Sequence, residues 1–242
     1  MSRNEGWIYE FDLKPGRVLA GRYVVEDLLG WGWEGEVYRV VERSTGIKRA
    51  AKLFYPMRNR NDRAVKFYAN KLHRLRRCDI VIQYHHSVPI RFKGHEITCL
   101  ISELVEGKLW SRHVADAPGK RLPLYEALHL LYALVCGLEQ IHRANEYHGD
   151  LHDDNVLVRR RGIGFELKLV DFFQWGAATR EKRRQDVQDA IRLFYDAVGG
   201  KRWYARQPPV VKTICCGLRR SRMAERFPTV THLREFLESF DW

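Results

Sequence analysis

The residues Tyr147-His148-Gly149-Asp150-Leu151-His152-Asp153-Asp154-Asn155, followed by Val170-Asp171-Phe172-Phe173, constrain this chain more than any other stretch. An aspartate, an asparagine five residues on, and a second aspartate after an apolar run make a base-and-metal set. One carboxylate can orient an acceptor hydroxyl and take its proton. An amide oxygen and the other carboxylate can hold Mg2+ against ATP. Phosphoryl transfer needs those groups, so a fold for this chain has to bring them to one place.

The 242 residues suffice for a large core, and one two-part domain suits them better than two independent ones. Apolar residues are 45% and aromatics 12%, which implies a globular chain. No apolar run approaches the ~20 residues that span a bilayer. The polar start, MSRNEGWIYE, lacks the apolar core of a signal peptide. Cys78, Cys99, Cys136, Cys215 and Cys216 are odd in number and show no C-x-x-C pair. Together these features predict reduced thiols, no structural zinc and a cytoplasmic location.

Net charge is +12, from 42 basic and 30 acidic residues. The basic residues cluster at Arg74-Arg76-Arg77, Arg159-Arg160-Arg161, Arg180-Lys182-Arg183-Arg184 and Arg219-Arg220-Arg222. A solvated basic surface accounts for this, and an anionic partner is the alternative. No nucleic-acid fold motif accompanies the charge, so nucleic acid is not expected as the main partner.

Alternation predicts strands at 22–29, 36–42 and 48–53, with a glycine turn at 30–35. A basic helix is expected over 62–77, where Val65, Tyr68, Leu72 and Leu75 recur at helical spacing. Further strands are expected at 80–87 and 96–104. A long helix is expected over 123–144, with Leu128, Leu131, Val135, Leu138 and Ile141 on one face. Short strands at 156–158 and 167–170 flank a turn at 159–164. Helices at 186–198, ended by Gly199-Gly200, then at 210–218 and 230–240 complete the pattern. Strands first and helices after make an α+β arrangement.

In order and near the expected spacing, His148-Gly149-Asp150 and Asp171-Phe172-Phe173 stand where the eukaryotic-type protein kinase superfamily has H-R-D and D-F-G. The chain resembles that superfamily from about residue 20 to 240, in a minimal bacterial serine/threonine form. Gly30-x-Gly32-x-x-Gly35 and Val37 lie between two strands, which suits a phosphate-covering flap and argues against a Rossmann turn. Ala50-Ala51-Lys52 resembles V-A-I-K. Ser102-Glu103-Leu104-Val105 resembles the adenine hinge, with Ser102 as gatekeeper. Arg226-Phe227-Pro228-Thr229 resembles the closing R-x-P-T helix.

The resemblance implies a two-lobed kinase-like fold. Residues 1–104 would form an antiparallel sheet with one helix, and 105–242 a mainly helical lobe. It implies ATP and Mg2+ as cofactors. Asp150 would be the base, Lys52 the phosphate ligand, and Asn155 and Asp171 the metal ligands. Gly30, Gly32, Gly35, Val37, Ala50, Glu103 and Val105 would line the nucleotide. His152 would either contact the transferred phosphate or sit at the rim. Asp186 would tie down the catalytic-loop backbone, though an N-cap role also fits. The acceptor would be a protein serine or threonine, with a small-molecule or envelope-sugar hydroxyl as the alternative. A pseudokinase scaffold is a further alternative.

Several departures matter. The superfamily pairs the strand lysine with a glutamate on the following helix. Here that position is Tyr68, and no acidic residue lies between Asp62 and Asp79. Asp62, Glu36 or a water-bridged Tyr68 are the candidate replacements. Phe173 stands in place of glycine, and Gly149 in place of the arginine that would hold a phosphorylated loop. Only 14 residues separate Asp171 from Asp186, with no A-P-E, and Thr179 is the one hydroxyl residue among them. No additional substrate-docking helix is expected between Gly200 and Pro209.

Overall fold

The computed structural model describes residues 8–172 and 176–240. They divide into two compact units. The described part of the first unit comprises 8–76 and 82–105, and that of the second 77–81, 106–172 and 176–240.

The first unit is an antiparallel sheet with one helix. Its elements are β1 (Val18–Leu19), β2 (Tyr23–Trp31), β3 (Gly35–Glu42), β4 (Lys48–Phe54), α1 (Arg63–Arg74), β5 (Tyr84–Phe92) and β6 (His95–Glu103). The sheet order is β1-β2-β3-β4-β6-β5. Alternation along β4 explains how the sheet is covered on both faces. Ala51 and Leu53 join Tyr55 in a core with Phe11, Leu13, Tyr38 and Val40. Lys52 and Phe54 point the other way, where both meet Tyr68 of α1. On α1, Val65, Tyr68 and Leu72 are buried at the expected helical spacing.

A buried carboxylate fastens residues 11–13 to this sheet. Glu36 accepts hydrogen bonds from the Phe11 amide at 2.8 Å, the Tyr55 hydroxyl at 3.2 Å, and the Tyr38 hydroxyl. Burial raises the pKa of both phenols, that of Tyr55 to about 12, and the Glu36 charge adds to it.

In this unit the boundaries differ most from expectation at two places. Gly30 and Trp31 belong to β2, so the turn shrinks to 32–34. The strand expected at 80–87 forms at Tyr84–Phe92, straight through Pro89. Proline is tolerated there because β5 is an edge strand and one side needs no N–H donor.

The second unit has β7 (Lys108–Leu109), α2 (Trp110–Asp116), α3 (Leu124–Arg143), β8 (Val156–Arg161), β9 (Gly164–Leu169), α4 (Arg180–Ala197), α5 (Gly200–Tyr204), α6 (Pro209–Cys215), α7 (Arg220–Arg226) and α8 (Val230–Glu238). Helix α3 is apolar around much of its circumference because α4, α8 and β9 all pack on it. Residues 77–81 belong here: the Leu169 amide donates to the Ile80 carbonyl at 2.7 Å, and Ile80 packs where Gly137 has no side chain. β8 and β9 run longer than expected and narrow the turn to 162–163. Helix α4 starts at Arg180, capped by Thr179, and not at 186. The expected gap between Gly200 and Pro209 contains the five-residue α5.

Cys99 and Cys215 are buried, which raises each thiol pKa to about 12 and keeps it protonated. Among the described residues, no helix is long and apolar enough to cross a membrane.

Candidate active site

The strand register aligns the candidate residues of the first unit. Val37 lies directly opposite Lys52, and Ala50 opposite Ser102. Directly paired residues share a sheet face, as do residues two apart. Val37, Ala50, Lys52 and Ser102 therefore share the face that α1 covers. The Glu103 amide donates to the Gln83 carbonyl at 2.9 Å. The Glu103 carbonyl accepts from Ser102 Oγ at 3.4 Å. Val105 closes the unit.

The three glycines of the flap differ in what the fold asks of them. A Cβ on Gly35 would fall 1.9 Å from the Leu53 carbonyl oxygen, so β3 can approach β4 there only through glycine. A Cβ on Gly30 or Gly32 would meet nothing within 4 Å. Protein packing does not demand glycine at those two positions. A ligand lying close to the backbone would.

Lys52 finds its carboxylate outside the expected set. Its Nζ lies 3.0 Å from Glu34 Oε2, in the turn itself. Glu36 faces the opposite core, and Asp62 Oδ1 accepts from Asn59 Nδ2 and Thr98 Oγ1. Tyr68 offers its ring, 4.4 Å from Nζ to centroid, in a cation–π contact. Sequence reasoning looked to Asp62, Glu36 and Tyr68 and missed Glu34. The available signal was an acid beside Gly35, close to the Val37–Lys52 pair.

In the second unit, Asp186 organises the loop. It lies in the second turn of α4, fully buried, and accepts three hydrogen bonds. The His148 amide donates to Oδ2 at 2.8 Å and the Gly149 amide to Oδ1 at 3.0 Å. His142 Nε2 donates to Oδ2 at 2.9 Å. This position rules out the N-cap role, which Thr179 takes by accepting from the Lys182 amide. Gly149 has φ +88°, a conformation glycine adopts readily.

His148 is buried beside Phe172, ring centres 4.5 Å apart. Its Nε2 donates to the Val170 carbonyl at 3.0 Å, and its Nδ1 accepts from the Asp150 amide at 3.3 Å. That fixes the neutral tautomer with the proton on Nε2. One ring thereby ties the loop carrying Asp150 to the residue before Asp171.

Asn155 completes the set. Its Nδ2 donates to the Asp150 carbonyl at 2.8 Å and faces His152 Nε2 at 2.9 Å. The Val170 amide donates to the Asn155 carbonyl at 3.1 Å. Val156 pairs with Leu169, so Asn155 and Asp171 leave the same end of the β8–β9 hairpin. With the amide nitrogen engaged, Oδ1 is the atom Asn155 can turn to a cation. Asn155 Oδ1 and the Asp171 carboxylate are hard oxygen donors, which fits Mg2+.

His152 is exposed, with Nε2 3.8 Å from Asp150 Oδ2. Asp153 and Asp154 are held from behind. The Ser111 amide donates to the Asp153 carbonyl at 3.1 Å, and Ser111 Oγ to Asp154 Oδ1 at 2.5 Å. Phe173 lies outside the described residues.

The chain is similar to known proteins in sequence and in fold. Residues 23–213 match the family described as protein kinase domain. Serine/threonine-protein kinase pkn2 of Myxococcus xanthus is 32% identical over 160 residues, covering 64% of this chain and 18% of that protein. Mitogen-activated protein kinase 13 of Oryza sativa subsp. indica is 29% identical over 155 residues, covering 63% of this chain and 29% of its own length. The chain thus spans less than a third of either relative. A Mycobacterium tuberculosis PknI kinase domain shares the fold, with TM-score 0.66 and 21% identity over 94% of this chain and 97% of that one.

Proposed function

Because this chain belongs to the protein kinase domain family, we propose that it transfers the γ-phosphoryl group of ATP to a serine or threonine hydroxyl of a protein. Asp150 orients that hydroxyl and takes its proton. Lys52 meets the α- and β-phosphates. Asn155 and Asp171 hold Mg2+, which neutralises charge on the phosphate oxygens when bound. The hinge offers adenine the Glu103 carbonyl and the Val105 amide. Gly30 and Gly32 leave room for phosphates against the backbone. His152, next to Asp150 and Asn155, steadies the exposed edge of the loop.

The observation that carries this reading is the Asp186–His148–Asn155 network. A carboxylate with no solvent exposure fixes two loop amides, and Asn155 bonds back to the Asp150 carbonyl. Such preorganisation is costly to build, and it suits a loop whose groups must not move during reaction. The serine/threonine acceptor follows the printed name of the Myxococcus relative.

The test is turnover on a general protein acceptor such as casein with Mg·ATP. Asp150→Ala should lower kcat by roughly 10²–10⁴-fold, the usual weight of a general base, with nucleotide affinity little changed. Equal turnover by the Asp150→Ala protein would sink the assignment.

A further inference from the structure

Lys52 receives no carboxylate from α1, because no acidic residue lies between Asp62 and Asp79. What α1 brings is Tyr68, a buried ring under the ammonium. An aromatic face attracts a cation but sets its position loosely, since the ring offers no single acceptor atom. Glu34 offers one, at 3.0 Å. The pair is mostly withdrawn from solvent, with side-chain exposures of 11% for Lys52 and 26% for Glu34. Attraction there is screened less than at a free surface.

Glu34 is itself held firmly. Its carbonyl accepts from the Tyr55 amide at 2.9 Å, and the Gly32 amide donates to the Gly35 carbonyl at 2.9 Å to close the turn. Gly35, pressed against Leu53, fixes how near the turn comes to β4. On the other side of Glu34, the Arg58 guanidinium stacks 3.7 Å over the Trp33 ring. These tethers aim one carboxylate at the end of a long, flexible lysine stem.

We propose that Glu34 is the positioning residue for Lys52: a carboxylate in the glycine turn, and not one on the helix, orients the lysine toward the nucleotide phosphates. An ammonium has three N–H donors, so a bond to one carboxylate oxygen is compatible with bonds to phosphate oxygens. The arrangement also joins two functions in one hairpin. The segment that covers the phosphates carries the group that orients the phosphate-binding lysine, so ordering either orders the other. This inference rests on the phosphotransfer reading for its kinetic consequence.

The experiment is a double-mutant cycle of Glu34→Ala and Lys52→Met, read on Mg·ATP affinity by calorimetry and on kcat. Glu34→Ala should weaken Mg·ATP about 5-fold and lower kcat by about 10²-fold, the scale of losing one preorganised polar group. Added to Lys52→Met it should change either quantity by less than about 2-fold, because contacting residues are not additive. Tyr68→Glu in the Glu34→Ala background should recover at least about tenfold in kcat, since a glutamate there places its carboxylate near the former ring centre. A purely structural role for Glu34 would not be rescued from a different element.

Independent, additive effects in the cycle would overturn the proposal. So would tighter Mg·ATP binding by Glu34→Ala, which would make the carboxylate a competitor of the phosphates. A wild-type chain that binds Mg·ATP but transfers nothing would sink the phosphotransfer reading and leave the affinity cycle to decide Glu34. A wild-type chain that binds no nucleotide would overturn both.

Discussion

Replacing Asp186 with asparagine preserves the volume of a fully buried side chain and changes only its hydrogen-bonding chemistry. The carboxylate accepts from the His148 amide, the Gly149 amide and His142 Nε2. An asparagine keeps one oxygen. Its best arrangement turns that oxygen to the His148 and His142 donors, which share Oδ2. The new NH2 then faces the Gly149 amide, donor against donor. One buried donor loses its partner, at about 1–3 kcal/mol, and two charge-assisted bonds become neutral ones. The sum is about 3 kcal/mol, against the roughly 5–15 kcal/mol that holds a folded domain together. For a chain of this size that lowers Tm by about 6–12 °C.

The location of the loss makes the prediction specific. If the defect opens the loop locally, the Gly149 amide should exchange with solvent about 100-fold faster, since about 1.4 kcal/mol is a factor of ten. Denaturant unfolding gives the first quantity and amide exchange resolved by NMR the second. A protein with Asp186→Asn that loses under about 1 kcal/mol, with the Gly149 amide as protected as before, would refute the reasoning.

Other perturbations should be graded by the same logic. Glu36→Ala leaves the Phe11 amide and the Tyr38 and Tyr55 hydroxyls without their shared acceptor. It should cost about 3 kcal/mol or more in urea unfolding, and Glu36→Gln clearly less because a hydroxyl can also accept. Thr179→Ala removes the cap of α4 and should cost about 1 kcal/mol; the same variant at full activity would exclude switching by phosphorylation there. Asp189 has its pKa raised to about 6, chiefly by burial and further by the Asp186 charge, against the Gln185 hydrogen bond and Arg220 and Arg192. The folded state therefore holds this proton where the unfolded state has released it, and the group's contribution to stability falls as pH rises from about 4 through 6. Asp189→Asn keeps the oxygen for Gln185 and should flatten that slope, gaining up to about 3 kcal/mol at pH 7. A parallel pH dependence in the two proteins would contradict it.

The loop around Asp150 was legible because its signal is local. Asp150, Asn155 and Asp171 sit at fixed spacing around short apolar strands, and a hairpin brings the last two to one end. The tie from Asp186 to the loop backbone was expected from the resemblance, but the residue was placed at the start of its helix and lies in the second turn. Arg180, Lys182, Arg183 and Arg184 read as a basic surface, yet they form the first turns of α4, half-buried from Lys182 on, and Thr179 was the overlooked cap. Ser87 read as the end of a strand, with Pro89 beyond it, because local propensity does not reveal which strand lies at a sheet edge. Glu34 was hidden for a deeper reason. Its pairing depends on the β3–β4 register and on the close approach allowed by Gly35, and neither is visible in the spacing of Glu34 and Lys52.

The central claim is tested most directly by following γ-labelled ATP with Mg2+ and the purified chain, beside Lys52→Met and Asp171→Asn proteins, for both ATP loss and label on protein. The account predicts label on serine or threonine with the wild-type chain and its disappearance in both variants. Label that survives in Asp171→Asn, or ATP loss with no label on protein, would contradict it.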